Sequence, residues 1–276
     1  MRYLSRIVPV TALALAFAFV SADKKPSTII TLQNCTLTPS TRIHATPRIR
    51  NRDGTASNWG GYAVETSLAS PQRNAVSAAH GSWRIPTISA SASRETYSAL
   101  WVGIDGNSDN TVEQLGTEQD RTPGGQVNSV WFEMYPHQSY NITGFPIEPG
   151  DTFSASVQYA GNERFILSIT NVTKGVTYTV PARYTRMKAS RESAEWIVEA
   201  PYQGGVLPLA DFGTVFFSDC STTINGVTGA IDHPAWQYDP ITMASGNTVK
   251  AQPSTLNDSI VHGTSVSAFS ARWHHE

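Results

Sequence analysis

From Ser57 onward, hydrophobic and polar positions alternate in short runs instead of recurring at helical spacing. Runs rich in Val, Ile, Tyr, Phe, Trp and Thr are separated by Gly, Pro, Asn and Asp, the signature of strands joined by turns. The pattern predicts strands over 60–64, 75–85, 98–104, 127–135, 152–159, 164–171, 176–180, 194–199, 213–220, 241–243 and 265–272. No window sustains an amphipathic helical stripe and no internal repeat is visible. The reading is an all-β sandwich or barrel, not a βαβ fold.

Alternation within three of these strands adds chemistry. In Trp101–Gly106 (WVGIDG), Val102 and Ile104 share one face and Trp101, Gly103 and Asp105 the other. In WFEMYP, Phe132 and Met134 oppose Trp131, Glu133 and Tyr135. In AEWIVE, Trp196 and Val198 oppose Glu195, Ile197 and Glu199. Each strand has one apolar face fit for an inter-sheet core. Its other face sets carboxylates among bulky rings, as a cleft with aromatic walls and an acidic floor would. A sheet face covered by loops, its rings serving only as packing, gives the same pattern.

The segment before Ser57 differs. Met1–Arg6 is basic, residues 7–20 are apolar and Val20-Ser21-Ala22 is a small-residue cleavage site, so 1–22 reads as a secretory signal peptide. Residues 23–56 are irregular, with only 28–32 strand-like, and carry a net +4 against −8 for 57–276. That asymmetry fits a basic tail or, more sharply, a prosegment docked on an acidic body. The three parts are thus a signal peptide (1–22), a basic prosegment or linker (23–56) and a β-sandwich domain (57–276). Charged residues make up only 15 % of the 276, against roughly 25 % in ordinary soluble domains. This excludes a coiled coil or a helical nucleic-acid binder, and no segment after the leader is long and apolar enough to span a bilayer. Two cysteines, Cys35 and Cys220, leave one bridge open and exclude a disulfide framework. Sequons stand at Asn34, Asn141, Asn171 and Asn257.

Familiar catalytic signatures are missing. There is no H-E-x-x-H, the seven His lack metal-ligand spacing, and neither G-x-S-x-G nor a phosphate-binding glycine loop occurs. Carboxylate chemistry remains, with Asp105, Glu133, Glu195 and Glu199 as candidates on the cleft face. A carboxylate activates water as a general base, but an acyl-transfer oxyanion needs a donor such as a side-chain amide. Gln114, on a short segment after WVGIDG, is such a donor. For Glu199 the plain alternative is an ion pair with Arg183 or Arg186.

Six motifs stand in order: SNWGGY, WVGIDG followed by EQLG, WFEMYP, EPGD, AEWIVE and FSDC. Together they resemble the glutamic peptidase family, the eqolisins, whose best known members are acid endopeptidases secreted by fungi. The resemblance is dense over 57–221 and looser beyond. It implies a concanavalin-like jelly roll of two seven-stranded antiparallel sheets with the site on a concave face. Residue by residue, it implies Gln114 and Glu199 as the catalytic dyad and Trp101, Asp105, Trp131 and Glu133 as cleft-lining, substrate-binding positions. It further implies a basic inhibitory prosegment, polypeptide substrates, and no metal, cofactor, nucleic-acid or membrane partner; a monomer is expected. Met134 and Ala200 stand where family members often carry Trp and Asp, and VEQLGT replaces the fungal LQTG form. The rival readings are a jelly-roll glycosidase or lectin that uses Glu133 and Glu199 as an acid pair, and an inactive binding module.

Overall fold

The computed structural model describes residues 29–42, 46–51, 54–184, 187–256 and 268–276. The expected signal peptide, 1–22, lies outside them. Among the described residues the protein is all-β, with eighteen strands in two sheets and no α-helix.

One sheet follows the order β1 (Ile30–Thr31), β11 (Val176–Arg183), β10 (Arg164–Asn171), β9 (Thr152–Tyr159), β4 (Val76–Arg84), β13 (Thr214–Ile224), β18 (Phe269–Trp273), β17 (Thr248–Pro253) and β16 (Met243–Ser245), with β14 (Val227–Ala230) on β13. The other follows β15 (Gln237–Ile241), β3 (Trp59–Glu65), β12 (Ser193–Glu199), β5 (Thr96–Ile104), β6 (Val112–Thr122), β7 (Gly125–Tyr135), β8 (Tyr140–Thr143) and β2 (Thr36–Pro39). β1 and β11 run parallel.

Alternation places the core on the faces that the hydrophobic pattern marks. Val102, Leu115, Phe132, Trp196 and Val198 of the second sheet pack against Trp83, Phe153, Phe165, Phe217 and Phe269 of the first. Full burial of one such side chain contributes about 1.5–3 kcal/mol. Two indoles reach across the sandwich and find acceptors. Trp196 Nε1 donates to the His80 carbonyl at 2.7 Å, and Trp83 Nε1 donates to Thr117 Oγ1 at 3.0 Å. The first needs a glycine opposite, because a Cβ on Gly81 would stand 2.7 Å from the Trp196 ring.

Four expectations are corrected. Gln114 lies in the eleven-residue strand β6, paired on both sides, and not on a short connecting segment. The strand expected over 241–243 is broken at Thr242, where the chain crosses from the edge of one sheet (β15) to the edge of the other (β16). The described part of 23–56 is not irregular: β1 pairs with β11, β2 with β8, and Ala56 bridges to Met243. With those strands the sheets hold ten and eight members, more than the seven apiece that the resemblance implies. Cys35 and Cys220 are free thiols. Asn171 is fully buried and its Nδ2 donates to Pro146 O and Asp151, so the folded chain does not present this sequon.

Candidate active site

Antiparallel pairing builds the outer face of the eight-stranded sheet in rows. One row is Ala63, Glu195, Gly103, Gln114 and Glu133, on β3, β12, β5, β6 and β7 in turn. The next, two residues along, is Gly61, Ile197, Trp101, Gly116 and Trp131, and the third begins Trp59, Glu199, Ala99 and Glu118. Residues two apart on a strand share a face, so Gln114, Glu199, Trp101, Trp131 and Glu133 are brought to one side of one sheet. Gln114 and Glu199 are offset by two strands and two rows, about 16 Å between Cα atoms on a flat sheet. Trp101 stands at the midpoint between them, on β5 and in the middle row.

Glu199 is fully buried. Trp101 Nε1 donates to its Oε2 at 2.8 Å and Asn58 Nδ2 to its Oε1 at 3.3 Å. Trp59, directly across on β3, packs edge-on against Trp101 with ring centroids 4.9 Å apart. Among the described residues no cation forms an ion pair with Glu199; Arg183 lies on the other sheet, and Arg186 is outside the described residues. Burial therefore pushes its pKa well above the usual carboxylate range, against the pull of the Trp101, Trp59 and Asn58 donors and with a further push from Glu133. Gln114 is also fully buried, and neither polar atom of its amide makes a hydrogen bond.

Of the remaining expected residues, Trp131 is fully buried in a second apolar cluster with Trp59, Trp101, Val112 and Ile197. Glu133, opposite Gln114, lines a cavity of about 610 Å³ together with Pro39–Arg42 and Tyr135–Ser139. Asp105 stands apart. Its backbone is left-handed (φ 73°), which breaks the alternation that would have put it beside Trp101. Its carboxylate accepts from Arg191 N (2.6 Å), Glu192 N (2.7 Å) and Thr111 Oγ1 (3.2 Å), tying the β5–β6 turn to the segment entering β12. Burial and the neighbouring Asp109 push it up to about 7.

Sequence reasoning left out Asn58 and Trp59, although both sit in the SNWGGY motif, and Glu118. Asn58 also binds the segment that precedes the domain. Its Oδ1 accepts from Ile49 N at 2.9 Å and its Nδ2 donates to Thr46 Oγ1 at 3.1 Å. Residues before Ser57 thus lie against the site, and their arginines hold acids on its flanks. Arg42 pairs with Glu118 and with Asp120 (2.6 Å), its guanidinium 4.4 Å over the Tyr97 ring. Arg48 pairs with Asp239 and donates to Asn107 Oδ1 at 3.0 Å. Among the described residues no group of three or more His, Cys, Asp or Glu is arranged to hold a metal ion.

Fold and face together define a β-sandwich with a buried carboxyl and a side-chain amide on one sheet. The chain belongs to the Peptidase A4 family, whose model matches residues 57–264. It is 28 % identical over 181 residues to aspergillopepsin-2 of Aspergillus niger, a match covering 64 % of this chain and 62 % of the relative, less than two thirds of that protein. It is also 28 % identical over 189 residues to scytalidopepsin B of Scytalidium lignicola, covering 64 % and 67 %. The fold matches the crystal structure of scytalido-glutamic peptidase with a transition state analog inhibitor (TM-score 0.64, 24 % identity, 79 % of this chain and 98 % of that one). A further match is SCP-B, described as a member of the Eqolisin family of peptidases (TM-score 0.60, 21 % identity, 79 % and 98 %). The expected resemblance to the glutamic peptidases therefore holds.

Proposed function

We propose that the chain is a secreted acid endopeptidase, made as a zymogen, that hydrolyses peptide bonds with Gln114 and Glu199. The observation that carries this reading is the fully buried Glu199, held by neutral donors on the face that also presents Gln114. Membership of a peptidase family supplies the reaction class.

Glu199 takes a proton from water as the water attacks the scissile carbonyl. The Gln114 amide NH₂ donates to the developing oxyanion. Protonated Glu199 then returns its proton to the departing amine. This cycle starts from ionised Glu199, whereas burial in the covered state favours its neutral form. Uncovering the face readmits solvent and leaves the Trp101 and Asn58 donors to stabilise the carboxylate, so the covered site is idle and the open one poised.

The cover is the basic prosegment. Its Arg42 and Arg48 contacts support an inhibitory role. Burial and Glu118 push Asp120 up to about 8, and burial raises Glu118 as well. Protonating this buried pair weakens its attraction for Arg42 but also relieves the cost of burying two acids. The acid trigger for release therefore rests on the wider charge: as pH falls the −8 body loses the negative charge that attracts the +4 segment. Processing of the full chain is expected to be faster at pH 4 than at pH 7; equal rates would count against the trigger.

The reading is tested with casein and a soluble β-glucan at acidic pH, comparing the processed protein with Glu199→Gln. Cleavage of casein alone, lost in the variant, is expected. Cleavage of the glucan without casein would replace the peptidase by a glycosidase, and cleavage of neither would leave a binding module.

A further inference from the structure

We propose that Asn58 is a positioning residue for Glu199 and the link through which the prosegment controls it. In the full chain the segment draws the Asn58 amide off the carboxyl; in the processed enzyme the amide closes on it. The inference rests on the peptidase reading above.

Asn58 is fully buried and immediately precedes β3. Its carbonyl accepts from Ala200 N at 2.9 Å, so the backbone sets it beside the end of β12 that carries Glu199. Its Oδ1 accepts from Ile49 N at 2.9 Å, and Ser57 N donates to Ile49 O at 2.9 Å, which pins the segment on both sides of Ile49. A backbone N–H only donates. It therefore fixes the amide oxygen on that side and turns Nδ2 to the other.

Four oxygens lie within 3.5 Å of Nδ2: Thr46 Oγ1 at 3.1 Å, Glu199 Oε1 at 3.3 Å, Thr46 O at 3.4 Å and Pro47 O at 3.5 Å. An amide NH₂ has two hydrogens, so three oxygens of the segment compete with Glu199 for them. At 3.3 Å the bond to the carboxyl lies beyond the usual limit of about 3.2 Å. Trp101 differs, because its single N–H goes to Oε2 at 2.8 Å. Of these two donors, Asn58 is the one whose bond the segment divides.

Release of residues 46–49 removes the three competing oxygens and the Ile49 N–H together. Both amide hydrogens are then left for Glu199 Oε1 and solvent. The bond tightens as the carboxylate ionises, because hydrogen bonds to a charged acceptor are shorter and stronger. The other groups acting on Glu199 belong to the sheet: the Trp101 and Trp59 indoles, and Glu133 as the charged neighbour. The segment's own cations are engaged elsewhere, Arg42 by Glu118 and Asp120 and Arg48 by Asp239. The segment thus acts on the carboxyl twice, by excluding water and by occupying its second donor.

The test records the pH dependence of kcat/KM on one neutral quenched peptide for processed wild type, Asn58→Ala and Asn58→Leu, with thermal unfolding alongside. The acid limb reports ionisation of Glu199 as the general base. Both variants lack the donor, so both are expected to move that limb to higher pH by about one unit, the scale of one hydrogen bond to a charged group. Leu keeps the side-chain volume and Ala does not, so their unfolding temperatures differ while their acid limbs agree. A lowered unfolding temperature with the limb unmoved marks a role in folding alone and overturns the proposal. If one variant fails to fold, the limb of the other decides. For the link to the prosegment, full-length Thr46→Val removes the nearest competing oxygen. It is expected to process about 2- to 10-fold faster at one acidic pH and to yield a product with the wild-type peptide rate. Equal processing rates, or a mature chain that by mass still carries residues 46–49, overturn the link. Failure of the peptidase reading looks different, since wild-type protein would then leave the peptide uncut.

Discussion

The two faces of the eight-stranded sheet come from the same strands and are equally dry, for opposite reasons. The inner face excludes water because Val102, Leu115, Phe132, Trp196 and Val198 are apolar and another sheet lies against them. The outer face buries Gln114, Glu133, Glu195 and Glu199 among Trp59, Trp101 and Trp131, and residues before Ser57 reach onto it through Asn58, Glu118, Asp120 and Asp239. Burial on the inner face is the fold itself. Burial on the outer face comes in part from a short basic segment whose Arg42 and Arg48 pair with acids of that face. One surface buries apolar side chains and the other buries carboxyls whose pKa values burial raises.

Paired substitutions sharpen that contrast. Leu100→Ala, on the inner face, is expected to cost about 2–5 kcal/mol in urea unfolding while the kcat of the folded fraction stays near wild type. Trp101→Phe, the adjacent residue on the outer face, is expected to lower the unfolding free energy by less than Leu100→Ala, about 1 kcal/mol. It should lower peptide hydrolysis about 10- to 100-fold, because a hydrogen bond to a charged group contributes about 1.5–3 kcal/mol. Losing that donor raises the Glu199 pKa further, so the acid limb of the pH–rate profile moves to higher pH. Large losses of both stability and activity in both variants would erase the distinction between the faces.

A smaller effect follows from pH. Asp105 is raised to about 7 and Asp120 to about 8, and Glu113, Glu195 and Glu199 are raised too, each chiefly by burial. The folded chain therefore binds protons more tightly than the unfolded chain. The resulting stability is complete below the unfolded carboxyl values of about 4 and is lost as pH rises through 7 to 8. The urea midpoint of the full chain carrying Glu199→Gln, which is expected not to process itself, is expected to be higher at pH 4 than at pH 8, and the reverse order would contradict the stated directions.

Much of this was legible in the sequence. Strands such as 98–104, 127–135 and 194–199 declare themselves because β-branched and aromatic residues alternate with polar ones, and the structure keeps those faces. β6 is hidden because Thr117 and Gln119 on its inner face and Gln114, Glu118 and Asp120 on its outer face leave no hydrophobic period. It is a strand because β5 and β7 pair with it. Gln114 was therefore found through motif resemblance and not through periodicity. Asp105 misled because alternation assumes extended backbone, and a positive φ at one residue voids it. The arginines at 42 and 48 gave a charge difference but not its partners, since Glu118, Asp120 and Asp239 are distant in the chain and meet them only on the folded sheet.

The most direct measurement is the initial rate on one neutral quenched peptide at acidic pH for processed wild type, Gln114→Ala, Glu199→Gln and the double variant. Each single variant is expected to lose about 10²–10³ or more, and the double variant is expected to fall no further than the worse single, because amide and carboxyl act on one water and one carbonyl. A single variant retaining activity within about 3-fold of wild type, or losses that multiply in the double, would contradict a shared site on the outer face.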